Sequence, residues 1–134
     1  MKYIIMCGDK TNNRHFTKIN GEILVSRTIR QLKENGIKDI AISSNNSKMK
    51  QFGVPVLVHN NAYIFYSIGG FWIDAFYPTD EETCYVFGDV VFTDKAIQTI
   101  VNTPTDDIEF FASAPPFAED YPKQHAEPFA FKIS

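Results

Sequence analysis

The sequence predicts an α/β fold, a three-layer α/β/α sandwich built on a Rossmann-like, mostly parallel sheet. The first observation behind this prediction is that short apolar runs alternate along the chain with segments of helical periodicity. The second is that the run at residues 2–7 is apolar on both faces, as expected of a strand covered on both sides. The third is size, because 134 residues of which 44% are hydrophobic suit one domain with one core.

The N-terminal part of the chain predicts a right-handed βαβ unit. Its strand, polar loop, amphipathic helix and second strand are at residues 2–7, 10–20, 23–35 and 39–43. The helix is indicated by a single apolar stripe formed by Val25, Ile29 and Leu32. Gly36 is typical of a residue that ends a helix.

The rest of the chain continues the alternation of strands and helices. The predicted strands are at residues 56–59, 84–87, 108–113 and 129–133, and the helical segments are at residues 62–76 and from Thr93 or Asp94 to Pro104. Gly69-Gly70 interrupts the first helical segment, so a loop over residues 67–70 and a helix after it are predicted. Thr93 or Asp94 is the predicted N-cap of the second helix.

Charge and composition exclude several classes of function. The chain has 13 Lys and Arg against 16 Asp and Glu, a formal net charge of −3. It has no long basic cluster, so a nucleic-acid partner is not expected. No apolar run approaches the roughly 20 residues that span a bilayer, and the N-terminus does not match a signal peptide. We therefore expect a cytoplasmic protein with no membrane insertion.

The cysteines and histidines predict neither a disulfide nor a zinc site. Cys7 ends one predicted strand and Cys84 begins another, so in a parallel sheet they lie at opposite ends, too far apart to be bonded. Both are expected to be small apolar core residues. His15, His59 and His125 lack the spacing of zinc ligands.

Polar residues that follow the predicted strands are the candidates for a binding site, because ligands of open α/β sheets bind at the carboxyl ends of the strands. Lys10, Arg14 and Lys18 follow the first strand, and Asp89 follows the fourth. Cations facing an acid at one edge fit a phosphate ester bound together with a divalent metal. The alternatives are that the cations are solvated loop residues and that Gly88-Asp89 is only a turn.

Several segments also carry a family resemblance. In chain order they are the first strand leading into Gly8, the loop containing Arg14, residues 17–24 with Lys18, residues 35–42, residues 67–70, and Gly88-Asp89 at the end of a strand. Together they resemble the sugar-phosphate nucleotidyltransferase superfamily, the NTP-transferase or pyrophosphorylase group. Residues 60–63 with Ser67 are most similar to its phosphocholine cytidylyltransferase-like members.

The resemblance implies a glycosyltransferase-A type fold and an enzyme that transfers a nucleoside monophosphate from an NTP to a sugar phosphate or phosphocholine, for surface polysaccharide synthesis. It implies Mg²⁺ as cofactor, held by Asp89, with Lys18 and Arg14 neutralising the phosphates. The nucleotide-binding positions that it implies are Cys7, Gly8, Asp9, Lys18, Asn61, Ser67 and Gly69. It also implies that residues 1–134 are a single nucleotidyltransferase-like domain without the C-terminal acceptor-binding portion.

Departures from the family pattern keep other functions open. The loop at residues 8–14 has one glycine where the family has several, and Asp9 adds negative charge near the phosphates. A non-catalytic nucleotide-binding domain is therefore one alternative. A nucleotide-sugar glycosyltransferase is another, but that class usually has an Asp-x-Asp pair, and here Val90-Val91 follow Asp89. The aromatic residues between 65 and 77 are expected in the core or at the interface of a homo-oligomer.

Overall fold

A computed structural model describes residues 1–8, 13–58, 81–113 and 127–134 of the chain. The strands and α-helices in these ranges are β1 (Lys2–Met6), β2 (Lys18–Ile19), β3 (Glu22–Ile23), α1 (Leu24–Glu34), β4 (Ile40–Ser43), β5 (Val56–Leu57), β6 (Thr83–Phe87), α2 (Asp94–Asn102), β7 (Ile108–Ser113) and β8 (Glu127–Ile133). Short 3₁₀ helices cover Arg14–Phe16 and Ser47–Phe52. The helical segment predicted within residues 62–76 lies outside the described residues.

Six strands form one sheet in the order β5-β4-β1-β6-β8-β7. β1 pairs in parallel with β4 and β6, and β4 pairs in parallel with β5. β8 is antiparallel to both of its neighbours, β6 and β7. The predicted α/β fold with a mostly parallel sheet is therefore confirmed. β4 and β5 lie on one side of β1 and the later strands lie on the other, so the strand order reverses at β1.

The two faces of the sheet carry separate apolar clusters. On one face, Tyr3 and Ile5 of β1 belong to the same buried cluster as Leu32 of α1 and Ile97 of α2. On the other face, the cluster contains Ile4, Met6, Tyr85 and Phe131. Because side chains of a strand alternate between faces, β1 contributes to both clusters, as its two-sided apolar pattern predicts. Neither α-helix in the described ranges combines the length and apolar character needed to cross a bilayer.

A tight hairpin occupies part of the stretch that the polar sequence predicts as a loop. β2 and β3 pair antiparallel, with Lys18 opposite Ile23. The two residues between the strands, Asn20 and Gly21, have φ angles of 53° and 83°. Positive φ at both positions is typical of a type I′ turn, which favours Asn-Gly. The prediction of a polar loop to Asn20 is therefore wrong at its C-terminal end, because β2 and the Asn20-Gly21 turn form a hairpin there.

Most element boundaries agree with the sequence to within two residues. α1 ends at Glu34, and Gly36 follows with φ of 83°, as expected of a residue beyond a helix C-terminus. Thr93 is the N-cap of α2, since its side chain accepts a hydrogen bond from the Ala96 N–H at 3.1 Å. Cys7 and Cys84 are both buried and free, so the prediction of no disulfide is confirmed.

Candidate functional site

The carboxyl ends of β4, β1 and β6 lie at one level of the sheet, because the last residues of the three strands are in register. Cys7, Ser44 and Gly88 come directly after these strands and therefore lie side by side. In open α/β sheets the binding crevice forms outside the carboxyl ends where the strand order reverses. Here the reversal is at β1, so the edge formed by these residues is the candidate site.

Gly88 lets the ends of β1 and β6 approach closely. Its N–H donates a hydrogen bond of 2.8 Å to the carbonyl oxygen of Met6. A Cβ atom at this position would lie 2.6 Å from the Cys7 Sγ and 2.8 Å from the Met6 carbonyl oxygen. Both distances are shorter than van der Waals contact, so only glycine fits without movement of the β1 backbone. The close contact of Gly88 with β1 thus fixes the position of the Asp89 backbone at the carboxyl end of β6.

Arg14 and Asp89 form an ion pair at this edge. Nη2 of Arg14 lies 3.2 Å from Oδ2 of Asp89. The Arg14 side chain is 73% exposed, whereas the Asp89 side chain is 27% exposed. The acid is therefore the more enclosed member of the pair. The sequence assigns Arg14 and Asp89 to one site although they are far apart along the chain. The structure places their side chains in contact.

His15 is buried beside this pair, with 1% of its surface exposed. It follows Arg14 in the 3₁₀ helix Arg14–Phe16, and its Nδ1 lies 3.2 Å from the place that a Cβ of residue 88 would occupy. The imidazole thus anchors the loop of Arg14 against the end of β6. Sequence reasoning missed this role of His15, because neither its polar neighbours nor histidine spacing indicates burial.

Ser44 connects the ends of β4 and β1. Its hydroxyl donates to the carbonyl oxygen of Cys7 at 3.1 Å, with the Gly8 carbonyl at 3.5 Å, and it accepts from the Asn46 N–H at 3.1 Å. Ser44 is fully buried, so these hydrogen bonds hold the start of the loop after β1 in one orientation. Gly8 is exposed at that point and has φ of 36°, which leaves its backbone open to a ligand.

Cys7 is fully buried at the candidate site, next to Gly88. Burial raises the pKa of its thiol, and the negative charge of Asp89 raises this pKa further. The raised pKa keeps the thiol neutral, so Cys7 packs at this edge as a small apolar residue. The Cys7 N–H donates to the Ser43 carbonyl oxygen at 2.9 Å, which ties the residue to β4.

Lys18 is exposed at the start of β2, and within the described ranges no hydrogen bond or ion pair of its side chain is seen. The structure does not bring it into contact with Asp89. The other residues that the resemblance assigns to nucleotide binding lie outside the described part of the chain, and their assignment stays a prediction: Asp9, Asn61, Ser67 and Gly69.

Asp89 is the one assigned metal ligand, and its surroundings suit a hard cation. Among the described residues, no group of three or more His, Cys, Asp or Glu side chains could enclose a metal. Mg²⁺ does not need such a group, because it is commonly held by one or two carboxylates together with water and substrate phosphates. The Asp89 carboxylate is partly exposed at the carboxyl end of β6, so it could supply one oxygen ligand to a magnesium site of this open kind.

Comparison with known proteins gives structural matches only. No protein-family model matches the chain, and no curated protein matches its sequence.

Two solved structures share the fold of the chain. The first is the inositol-1-phosphate CTP transferase from T. maritima, with a TM-score of 0.64, 13% identity, and alignment over 99% of this chain and 70% of that chain. The second is a protein from Bacillus anthracis assigned as a glucose-1-phosphate thymidylyltransferase and solved with sucrose, with a TM-score of 0.61, 15% identity and coverages of 98% and 70%. The chain therefore shares the α/β fold of these two structures, as the resemblance in its sequence implies.

Proposed function

We propose that the chain is a nucleotidyltransferase that transfers a nucleoside monophosphate from an NTP to a small phosphorylated acceptor and releases pyrophosphate. The observation that carries this proposal is the Arg14–Asp89 pair at the carboxyl end of β6, beside the reversal of the strand order. Both solved neighbours are named for a nucleotide and a phosphorylated acceptor, which supports the same reaction class for this chain.

The proposed reaction needs neutralised phosphates more than it needs reactive side chains. Asp89 holds Mg²⁺, which supplies positive charge to the triphosphate when it is bound. Arg14 and Lys18 bind phosphate oxygens, because their side chains are positively charged and the oxygens carry negative charge. An oxygen of the acceptor phosphate forms a bond to the α-phosphorus while the bond from this phosphorus to pyrophosphate breaks. Pyrophosphate leaves with the electron pair, so no protein nucleophile is required.

The nucleotide is proposed to lie over the exposed backbone at Gly8, with Asp9, Asn61, Ser67 and Gly69 completing its site. The acceptor is a sugar phosphate or phosphocholine, and the product is a precursor for surface polysaccharide in the cytoplasm. These finer assignments rest on the sequence resemblance.

Pyrophosphate release is the direct test. We expect release in the presence of Mg²⁺ for at least one combination of CTP, dTTP, UTP, ATP or GTP with inositol 1-phosphate, glucose 1-phosphate or phosphocholine. Asp89→Asn should lower the rate by about 100-fold or more, because metal charge stabilises such a transition state by several kcal/mol. The matched control is Asp106→Asn, an exposed acid before the start of β7 and thus at the opposite end of the sheet, which should keep the wild-type rate.

A non-catalytic nucleotide-binding domain is the second candidate. The observation that favours it is the loop sequence at residues 8–14, which has one glycine and adds the negative charge of Asp9. It predicts binding of an NTP with Mg²⁺ and no pyrophosphate for any acceptor. Absence of both nucleotide binding and pyrophosphate release would contradict both candidates.

A further inference from the structure

The Arg14–Asp89 ion pair joins two groups that the proposed function uses separately. Asp89 is the carboxylate for the metal, and Arg14 is a cation for the phosphates, yet Nη2 and Oδ2 of the two residues are 3.2 Å apart. A guanidinium and a divalent cation next to the same carboxylate repel each other. The pair and the metal-bound form therefore compete for Asp89.

We infer that the Arg14–Asp89 pair is a latch that the metal–nucleotide complex opens, so that metal and nucleotide bind as a unit rather than singly. This inference rests on the proposed function and concerns the regulation of the same site. With the latch closed, a metal ion alone meets a carboxylate that is already neutralised. A nucleotide alone meets an arginine that is already paired. The complex replaces both partners at once, because the metal takes Asp89 and the phosphates take Arg14.

The two sides of the latch differ in exposure and in how closely their backbone is packed, as this mechanism requires. Asp89 follows Gly88, which is fixed by its hydrogen bond to Met6 and by its contact with Cys7. The Arg14 side chain is 73% exposed, so it can leave Asp89 without uncovering the core. The neighbouring His15 is the buried residue of this 3₁₀ helix and keeps its backbone in place. Opening the latch therefore begins with the exposed Arg14 side chain and leaves Asp89 in place.

Binding of Mn²⁺ in the absence of nucleotide tests the latch. The free ion is followed by electron paramagnetic resonance, with no reaction involved. We expect Arg14→Gln to bind Mn²⁺ about two- to fivefold more tightly than the wild type, because exposed ion pairs of this kind contribute about that much. Lys48→Gln is the control, since Lys48 is an exposed cation in the 3₁₀ helix that follows β4, at the same end of the sheet. It should change the affinity by less than about 1.5-fold, because a charge that forms no pair with Asp89 acts only at long range.

The variant Asp89→Asn shows whether the latch hypothesis alone is wrong or the metal site at Asp89 is wrong as well. If Asp89→Asn removes Mn²⁺ binding but Arg14→Gln binds no more tightly than Lys48→Gln, the latch is contradicted and the metal site stands. If Asp89→Asn binds Mn²⁺ like the wild type, both are contradicted. Circular dichroism checks that each variant is folded, and Arg14→Lys serves as a second variant. It keeps the charge but not the planar guanidinium, so its Mn²⁺ affinity should lie between those of the wild type and Arg14→Gln.

Discussion

Gly88 is the residue that allows the candidate site to form. Replacing it by alanine would place a methyl group 2.8 Å from the Met6 carbonyl oxygen, which belongs to the backbone of a central strand and cannot move alone. We expect Gly88→Ala to lower the free energy of unfolding by about 1–3 kcal/mol, as other overpacked sites do. Urea unfolding followed by circular dichroism measures this change.

Gly21→Ala is the matched comparison for Gly88→Ala. No atom lies within 4 Å of a Cβ at Gly21, but its φ of 83° disfavours alanine. Its cost is therefore conformational, and it should leave Mn²⁺ binding unchanged, whereas Gly88→Ala should weaken that binding by displacing Asp89. Equal Mn²⁺ affinity for Gly88→Ala and the wild type would contradict the role given to Gly88.

The sequence predicts where some residues of the site lie along the sheet, but it does not predict which of them are in contact or buried. Asp89 follows an apolar run with only Gly88 between them, so its place at the carboxyl end of a strand is local information. The contact between Asp89 and Arg14 could not be predicted from the pattern, because it depends on β1 and β6 being neighbours. The burial of His15 could not be predicted either, since the residue that it packs against, Gly88, is remote in sequence.

The hairpin β2–β3 is attached to α1 by an ion pair with two hydrogen bonds. Arg30 donates from Nε and Nη2 to the two carboxylate oxygens of Glu22, at 2.9 and 3.0 Å. These hydrogen bonds lower the pKa of Glu22 below its ordinary value of 4.5. Since the folded pKa lies below the unfolded one, the pair stabilises the protein fully above about pH 4.5, and this stabilisation is lost as the pH falls through the lowered pKa.

Glu22→Gln should remove that pH dependence. The wild type is expected to be more stable than Glu22→Gln near neutral pH, and the difference should shrink as the pH falls below 4.5. Thermal unfolding of both proteins across this pH range measures it, with Asp106→Asn as the control for loss of an exposed acid. A difference that is constant with pH would show that the pair does not act through the ionised carboxylate.

Lys132 holds the C-terminal end of α2 to β8. Its buried ammonium donates to the carbonyl oxygens of Val101 and Thr103 at 3.3 and 2.7 Å. Burial lowers the pKa of this lysine, against the smaller effects of Cys84, Glu82 and Glu109, which raise it.

Replacing Lys132 by methionine would leave those two carbonyl groups without the ammonium. We expect Lys132→Met to lower the free energy of unfolding by about 1 kcal/mol, because two hydrogen bonds to part-buried carbonyl groups are lost. Lys95→Met is the matched control, because Lys95 is an exposed lysine in the first turn of the same helix. Equal urea midpoints for Lys132→Met and Lys95→Met would contradict the structural role of Lys132.

Elements with a regular apolar pattern could be predicted, whereas elements that depend on turn chemistry were harder to infer. β7 spans the residues that its apolar run predicts, Ile108–Ser113. β8 begins two residues earlier than its pattern, at Glu127, because pairing with β7 extends the strand past Pro128. The hairpin has strands of two residues each, too short for an apolar pattern, so only Asn20-Gly21 could have predicted it.

At the scale of the whole molecule, the site depends on the order of the strands. The sequence predicts that Arg14 and Asp89 follow strands, and it predicts a parallel sheet. It does not state which strands are adjacent. The sheet order β5-β4-β1-β6 puts the ends of β1 and β6 side by side. Because these ends are adjacent, Arg14 and Asp89 lie close enough to form an ion pair. The same order creates the reversal at which α/β sheets bind their ligands.

A crystal structure with a bound metal–nucleotide complex would show whether Asp89 and Arg14 have the proposed roles. We would crystallise the protein with Mn²⁺ and CTP or dTTP and locate the metal by its anomalous scattering. We expect a Mn²⁺ peak about 2.1 Å from a carboxylate oxygen of Asp89, with Arg14 moved from Asp89 to the phosphates. A complex bound elsewhere, or at this edge with the Arg14–Asp89 pair intact and no metal on Asp89, would contradict these roles.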